Sequence, residues 1–270
     1  VRFETDVKIT PAMARKFLDR NRENNRRPKA GKVSAYARDI VAGRWVLTGE
    51  AIKFDTDGFL MDGQNRLLAV IEANKAARFS VVYDLDPQAM SVMDTGASRS
   101  FGDVLAVAYG TPDKYQVSSI VRWILAIESG VWRGSGGGFN PTHAEMAGRY
   151  EQTAEAFVTA GSRGRDVALE GLGVASAAGT AYYLFADIDG AEVKGFFDNL
   201  ILGANMSEGS AALTLRRRLT RASKSHRLHR AEQLALFIRA WNAYRRDEPI
   251  HKLMITADTK LTNDNFPRPQ

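Results

Sequence analysis

After about residue 100 the strand signals in this chain stop, and that asymmetry limits the fold more than any other feature of its 270 residues. Before that point, short apolar runs alternate with turn residues. "AIKFD" and "FLMD" flank "TDG" and read as two strands with a tight connection; "RFSVVYDL" reads as a third strand. After it, apolar residues recur every three or four positions. Val117, Ile120, Val121, Ile124 and Ile127 make one stripe, and Leu234, Phe237, Ile238, Trp241 and Tyr244 make another, with Trp241 read as core. The expectation is an α+β chain: a small mixed-sheet domain over residues 1–100 and an all-helical domain over 101–270, the latter carrying a basic segment.

Helix boundaries follow from capping chemistry. Thr10 is placed as an N-cap with Pro11 at the first helical position, and Thr111 with Pro112 in the same roles for the helix through Ile127. "KVSAYARDIVAGRW" reads as a helix with Val33, Tyr36, Ile40 and Val41 on one face and Gly43 at its stop. "GQNRLLAVIEAN" is a further helix, and "DPQAMSVMDTG" a short helix and loop. Later helices are expected near 141–160, 167–187, 190–202, 210–223 and 228–246. "WRGSGGGFNP" reads as a connection, because it lacks the Lys-Ser/Thr of a P-loop, and "TNDNFPRPQ" as an unstructured tail.

There is no cysteine, which excludes disulfides, zinc-thiolate sites and thiol nucleophiles. No apolar run approaches the roughly 18 residues that cross a bilayer. The charged start "VRFETDVKIT" has no apolar signal core, so a cytoplasmic protein is expected. Net charge is +6, and the excess is clustered. Arg216, Arg217, Arg218, Arg221, Lys224, Arg227 and Arg230 fall in one stretch without an acid. Arg15, Lys16, Arg20, Arg22, Arg26, Arg27, Lys29 and Lys32 face only Asp19 and Glu23 in another. Clustered cations attract polyanions through counterion release, so DNA is the expected partner, with Arg26, Arg27, Arg216, Arg217, Arg218 and Arg221 as its contacts; a solvated helix face is the alternative. His226 and His229 sit among these arginines and read as cationic surface rather than metal ligands.

The stretch "FLMDGQNRLLAV" places a strand directly before a helix. A helix that starts there points its first N–H groups and its positive dipole end forward, where an anion binds readily. Gly63 leaves room for a close approach, Gln64 and Asn65 add neutral donors, and Arg66 offers paired hydrogen bonds to a phosphate. Asp62 reads as the N-cap or as an acid acting through a metal or water. The alternative for Arg66 is an internal pair with Asp62 or Asp84. In "VMDTGASRS", Asp94 is a candidate for holding a metal and Arg99 for a phosphate, against a plain turn capped by Thr95 or Ser100.

Taken together, Asn25-Arg26-Arg27, Gly43-Arg44-Trp45, Asp57-Gly58, Asp62-Gly63-Gln64-Asn65-Arg66-Leu67 and Asp94-Thr95-Gly96 with Arg99 resemble the ParB/sulfiredoxin superfamily. More narrowly, the order resembles the DGQHR-type phage and actinobacterial proteins labelled ParB-like nuclease domains, over roughly residues 7–100. The resemblance implies a nucleotide phosphate cradle at Gly63, Gln64, Asn65 and Arg66. It does not carry the superfamily's chemistry across whole. Sulfiredoxins have a catalytic cysteine where Gln64 stands, partition ParB proteins have a glutamate followed by two arginines, and the narrower group has histidine where Asn65 stands.

Three functions are open on these grounds. The first is a DNA-associated protein binding a nucleotide, as a nucleoside triphosphate with Mg²⁺, or a DNA phosphate at this turn. The second is an enzyme in the same pocket, a nuclease, NTP hydrolase or phosphotransferase, with Asp62 and Asp94 as catalytic acids and Glu50 and Asp57 nearby. The third is an interaction protein with a vestigial pocket.

Overall fold

A computed structural model describes residues 1–21, 27–91, 100–134, 139–204, 206–225, 228–255 and 261–270. Two compact units result: Val1–Ser98 with Asn140–Glu145, and Arg99–Phe139 with Met146–Gln270. The chain is mixed α+β, with one four-stranded sheet near its N-terminus and helices after it.

The first unit runs β1 (Arg2–Ile9), α1 (Pro11–Leu18), α2 (Ala30–Val41), β2 (Ile52–Asp55), β3 (Leu60–Asp62), α3 (Gln64–Glu72) and β4 (Ala77–Leu85), then a 3₁₀ turn at Pro87–Ser91. The strand order is β1-β4-β2-β3. β2 and β3 form the antiparallel hairpin read from "TDG", closed by Asp55, whose carboxylate accepts the Asp57 and Phe59 N–H groups. β2 and β4 are parallel, which requires a crossover connection, and α3 lies in it.

β1 has no counterpart in the sequence expectations. It pairs antiparallel with β4, but its register shifts between Glu4 and Val7, and Asp6 takes a left-handed φ of 59°. A bulge of this kind breaks the two-residue alternation that marks a strand. α1 starts as expected: the Thr10 side chain accepts the Met13 N–H. On α2, Val33, Ala37 and Ile40 face the core, whereas Val41 is exposed. The core joins Ile9, Ile52, Phe54, Leu60, Leu67, Val70, Phe79 and Val81. Phe54 stacks on Tyr83 and meets Phe17 edge-on. Full burial of each such side chain stabilises by about 1.5–3 kcal/mol.

Residues 140–145 return to this unit. Glu145 accepts from the Thr142 N–H at 2.7 Å, from Arg38 at 3.0 Å and from Arg44 at 3.3 Å. Buried Asp39 accepts from Arg44 and from the Thr142 hydroxyl. Burial pushes the Glu145 carboxyl up, but the Arg38 hydrogen bond, the Thr142 N–H and the charges of Arg38 and Arg44 outweigh it. They hold the carboxyl below its ordinary value.

The second unit holds α4 (Phe101–Tyr109), α5 (Lys114–Glu128), most of α6 (His143–Gln152), α7 (Ala154–Leu169), α8 (Ala175–Ala186), α9 (Gly190–Leu202), α10 (Ala211–Ser225) and α11 (Arg230–Arg245). α4 opens on a reciprocal cap between Ser100 and Asp103, the role the turn reading gave Ser100. The single helix expected over 141–160 is two, parted at Thr153, which takes a non-helical conformation. The expected Thr111 cap is corrected. α5 starts at Lys114 after Asp113, and buried Thr111 instead shares a 2.8 Å hydrogen bond with the Tyr150 hydroxyl. Small residues seat α8 against α7: a Cβ on Gly164 would run into the Ala175 carbonyl. Trp241 of α11 stacks on Phe185 of α8 at 4.7 Å between ring centres. The tail also differs from expectation. Phe266 is buried, Asn242 bonds the Arg268 carbonyl and the Gln270 N–H, and the Trp241 indole N–H reaches the Gln270 carbonyl. The tail lacks regular structure, so periodicity alone does not reveal its packing.

Candidate functional site

β3 delivers the chain to Asp62, and α3 begins two residues later. Between them Gly63 takes a φ of 108°, a region closed to most side chains. A Cβ there would also lie 2.5 Å from Ile52 Cδ1 and 3.2 Å from Ile52 Cα. Close packing on β2 therefore requires the glycine whether or not a ligand is present.

Asp62 is not the N-cap that the sequence suggested. Gly63 holds that position, and among the described residues no side chain caps α3. One Asp62 oxygen accepts its neighbour's N–H, from Gly63 at 2.7 Å; the other meets Arg66 at 3.0 Å and Lys53 at 3.6 Å. Arg66 donates in addition to the Glu50 carbonyl at 2.6 Å, and its side chain is only 11% exposed. The guanidinium is thus engaged inside the unit, in the Asp62 pair that was the alternative reading. Two cations around one carboxylate leave the turn positive.

Gln64 and Asn65 are also engaged. The Asn21 side chain donates to Gln64 Oε1 at 3.2 Å, and the Lys29 backbone N–H donates to Asn65 Oδ1 at 2.9 Å. Asn21 and Lys29, on either side of Arg22, Arg26 and Arg27 in the sequence, are therefore both tied to the first turn of α3. Arg27, two residues before Lys29, is exposed; Arg26 lies outside the described residues. Asp94 and Arg99 also lie outside them. Glu50 presents its carbonyl to Arg66, and Asp57 is exposed on the hairpin. Among the described residues, no three of His, Asp and Glu gather into a metal-binding set.

In the helical unit the basic segment is less uniform than its sequence implies. Arg216 donates to the Leu200 and Ile201 carbonyls at the end of α9 and lies 3.5 Å from Glu170. Arg217 pairs with Glu208 at 2.6 Å. Both acids come from outside the segment, so a local charge count missed them. Arg218 is half-buried and Arg221 exposed. Arg216, Arg217 and Arg221 line a shallow groove of about 290 Å³. A larger cleft of about 670 Å³ in this unit is lined by Arg122, Arg133 and Arg230, with His229, the N-cap of α11. Sequence reasoning did not single out Arg122 or Arg133, since one lies within an amphipathic helix and the other in a glycine-rich connection. Among the described residues no helix is long and apolar enough to cross a membrane.

No protein-family model, curated protein or solved structure matches the chain.

Proposed function

We propose that this is a DNA-associated, ParB-like protein, acting in the cytoplasm of a bacterium or in phage-infected cells, whose first unit binds a phosphate at the start of α3. The ligand is a nucleotide, taken as a nucleoside triphosphate with Mg²⁺, or a phosphate of DNA. The observation that carries this reading is the pair of bonds from Asn21 to Gln64 and from Lys29 to Asn65. They bring Asn21 and Lys29, which bracket a cation-rich stretch of the sequence, to a helix start that no side chain caps among the described residues. Arg27 lies two residues from the Lys29 anchor, so its Cα is within about 7 Å of that of Lys29. The helix-start N–H groups and dipole supply half of an anion site, and Arg27 supplies charge beside them.

On this reading the turn residues divide their roles. Gly63 permits the backbone path, Gln64 and Asn65 hold Asn21 and Lys29, and Arg66 with Lys53 neutralises Asp62, which would otherwise repel the phosphate. Arg66 is a positioning residue that adds its field to the site. The resemblance of the motif order to ParB-like proteins supports the same placement.

Thermal shift tests the proposal. A ligand that binds only the folded protein stabilises it by about 2.7 kcal/mol at 100 times its Kd. A nucleoside triphosphate with Mg²⁺ and a short duplex DNA are assayed separately. Stabilisation by either supports phosphate binding and identifies its source, and stabilisation by neither rejects it.

A further inference from the structure

We propose that the cleft between α5 and the start of α11 is a second anion site, which takes a single strand of nucleic acid. It lies wholly in the helical unit and does not depend on the α3 site.

Three arginines converge on it from three places in the sequence: Arg122 from α5, Arg133 from the turn after α5, and Arg230 from the first turn of α11. Among the described lining residues none carries a carboxylate. The acid in the first turn of α11, Glu232, is turned back on the His229 backbone N–H at 2.7 Å. Arg133 and Arg230 are exposed, and among the described residues neither meets a carboxylate within salt-bridge distance. Arg216 and Arg217 on α10 differ, because each has its glutamate. Like charges gathered in a concavity repel one another, and the low-dielectric walls focus their field on whatever enters. A phosphate relieves that repulsion and releases its own counterions.

The cleft is also shaped for more than an isolated ion. Its volume of about 670 Å³ falls in the range of small-molecule sites and is ample for one nucleotide of a strand. One wall is closely packed: the Trp123 indole N–H donates to the Trp132 carbonyl at 3.1 Å, and Gly134 packs on the ring. Half-buried Phe139 offers an aromatic surface beside the cations. Cations along a groove with an aromatic side chain in it are the combination by which single strands are held without sequence preference. A free mononucleotide shares this chemistry, and the test separates the two.

The test measures binding of the full chain to a fluorescein-labelled oligothymidylate of about 12 nucleotides, a length within the usual single-strand site size, over a series of salt concentrations. The variant Arg133→Ser with Arg230→Ser is compared with a charge-matched control on exposed lysines of the same unit, Lys194→Ser with Lys252→Ser. The arginine variant is expected to bind at least tenfold more weakly at low salt. Its plot of log affinity against log salt should be flatter by about 1.4, or roughly 0.7 for each lost phosphate contact. Arg133→Lys with Arg230→Lys should keep most of the slope, and the control should keep both slope and affinity. An unchanged slope in the serine variant overturns the proposal, as does an equal loss in the control. Competition by thymidine monophosphate as effective, mole for mole, as by unlabelled strand also overturns it, because the site would then take a free nucleotide.

Discussion

Arg66 donates to the Asp62 carboxylate at 3.0 Å across the strand-to-helix turn, with both side chains largely withdrawn from water. This pair sets the order in which the elements of the turn depend on one another. Arg66→Ala leaves Asp62 with the Gly63 N–H and the more distant Lys53 and also removes the bond to the Glu50 carbonyl. The expected loss is about 2–3 kcal/mol of stability, read as a lowered melting temperature. Arg66→Lys should recover little of it, since an ammonium cannot span both acceptors in a planar fork. A melting temperature unchanged by Arg66→Ala would show that the pair contributes nothing.

Gly63 and Ile52 make a second dependence. Gly63→Ala meets a left-handed φ and Ile52 Cδ1 together, so a cost of about 2 kcal/mol or more is expected. Ile52→Val removes that Cδ1. In a double-mutant cycle it should return part of the loss, and the φ cost should remain. Strict additivity would mean that the contact is not felt.

These two positions also show how far the sequence was legible. The strand–turn–helix at residues 60–66 was visible because its signals are local: a hairpin turn, a glycine and a change of period. The partners of its side chains were not, because Asn21, Lys29 and Glu50 reach the turn from distant places in the chain. β1 escaped notice because a bulge breaks its alternation, and the packed tail because its contacts come from Asn242 and Trp241. The same limit hid Glu170 and Glu208 behind an apparently unpaired basic run. It also hid the arginine-lined cleft, whose three cations are separated in sequence.

Glu145 gives the fold a dependence on pH. Its folded carboxyl titrates below its ordinary value of 4.5, so the ion pairs with Arg38 and Arg44 stabilise fully above that value. That contribution is lost as pH falls through the lower folded value. Glu145→Gln retains a helix cap and removes the charge. It should cost about 1 kcal/mol at pH 7, a modest figure because Arg38 is half-exposed to screening solvent. Urea denaturation at a series of pH values should show the difference from wild type shrinking below pH 4.5. A gap that stays constant into acid would remove the ion pairs from the account.

Phe266 tests the tail. It is buried and faces Trp132 at 6.0 Å between ring centres. Phe266→Ala should destabilise the chain by about 3 kcal/mol, as for other core aromatics. A loss below about 0.5 kcal/mol, the usual range for surface substitutions, would return the tail to an unstructured segment.

The central claim is that Arg27, beside the Lys29 that is tied to Asn65, helps bind a phosphate at the start of α3. Isothermal titration of Arg27→Ser against wild type tests it most directly, with a nucleoside triphosphate plus Mg²⁺ and with short duplex DNA in separate runs. Arg27 is exposed, so the melting temperature should stay unchanged. A charge-assisted hydrogen bond is worth about 1.5–3 kcal/mol, so affinity for the ligand that binds wild type should fall roughly 10- to 100-fold. Equal affinity in the two proteins, or binding of neither ligand by wild type, would contradict the account.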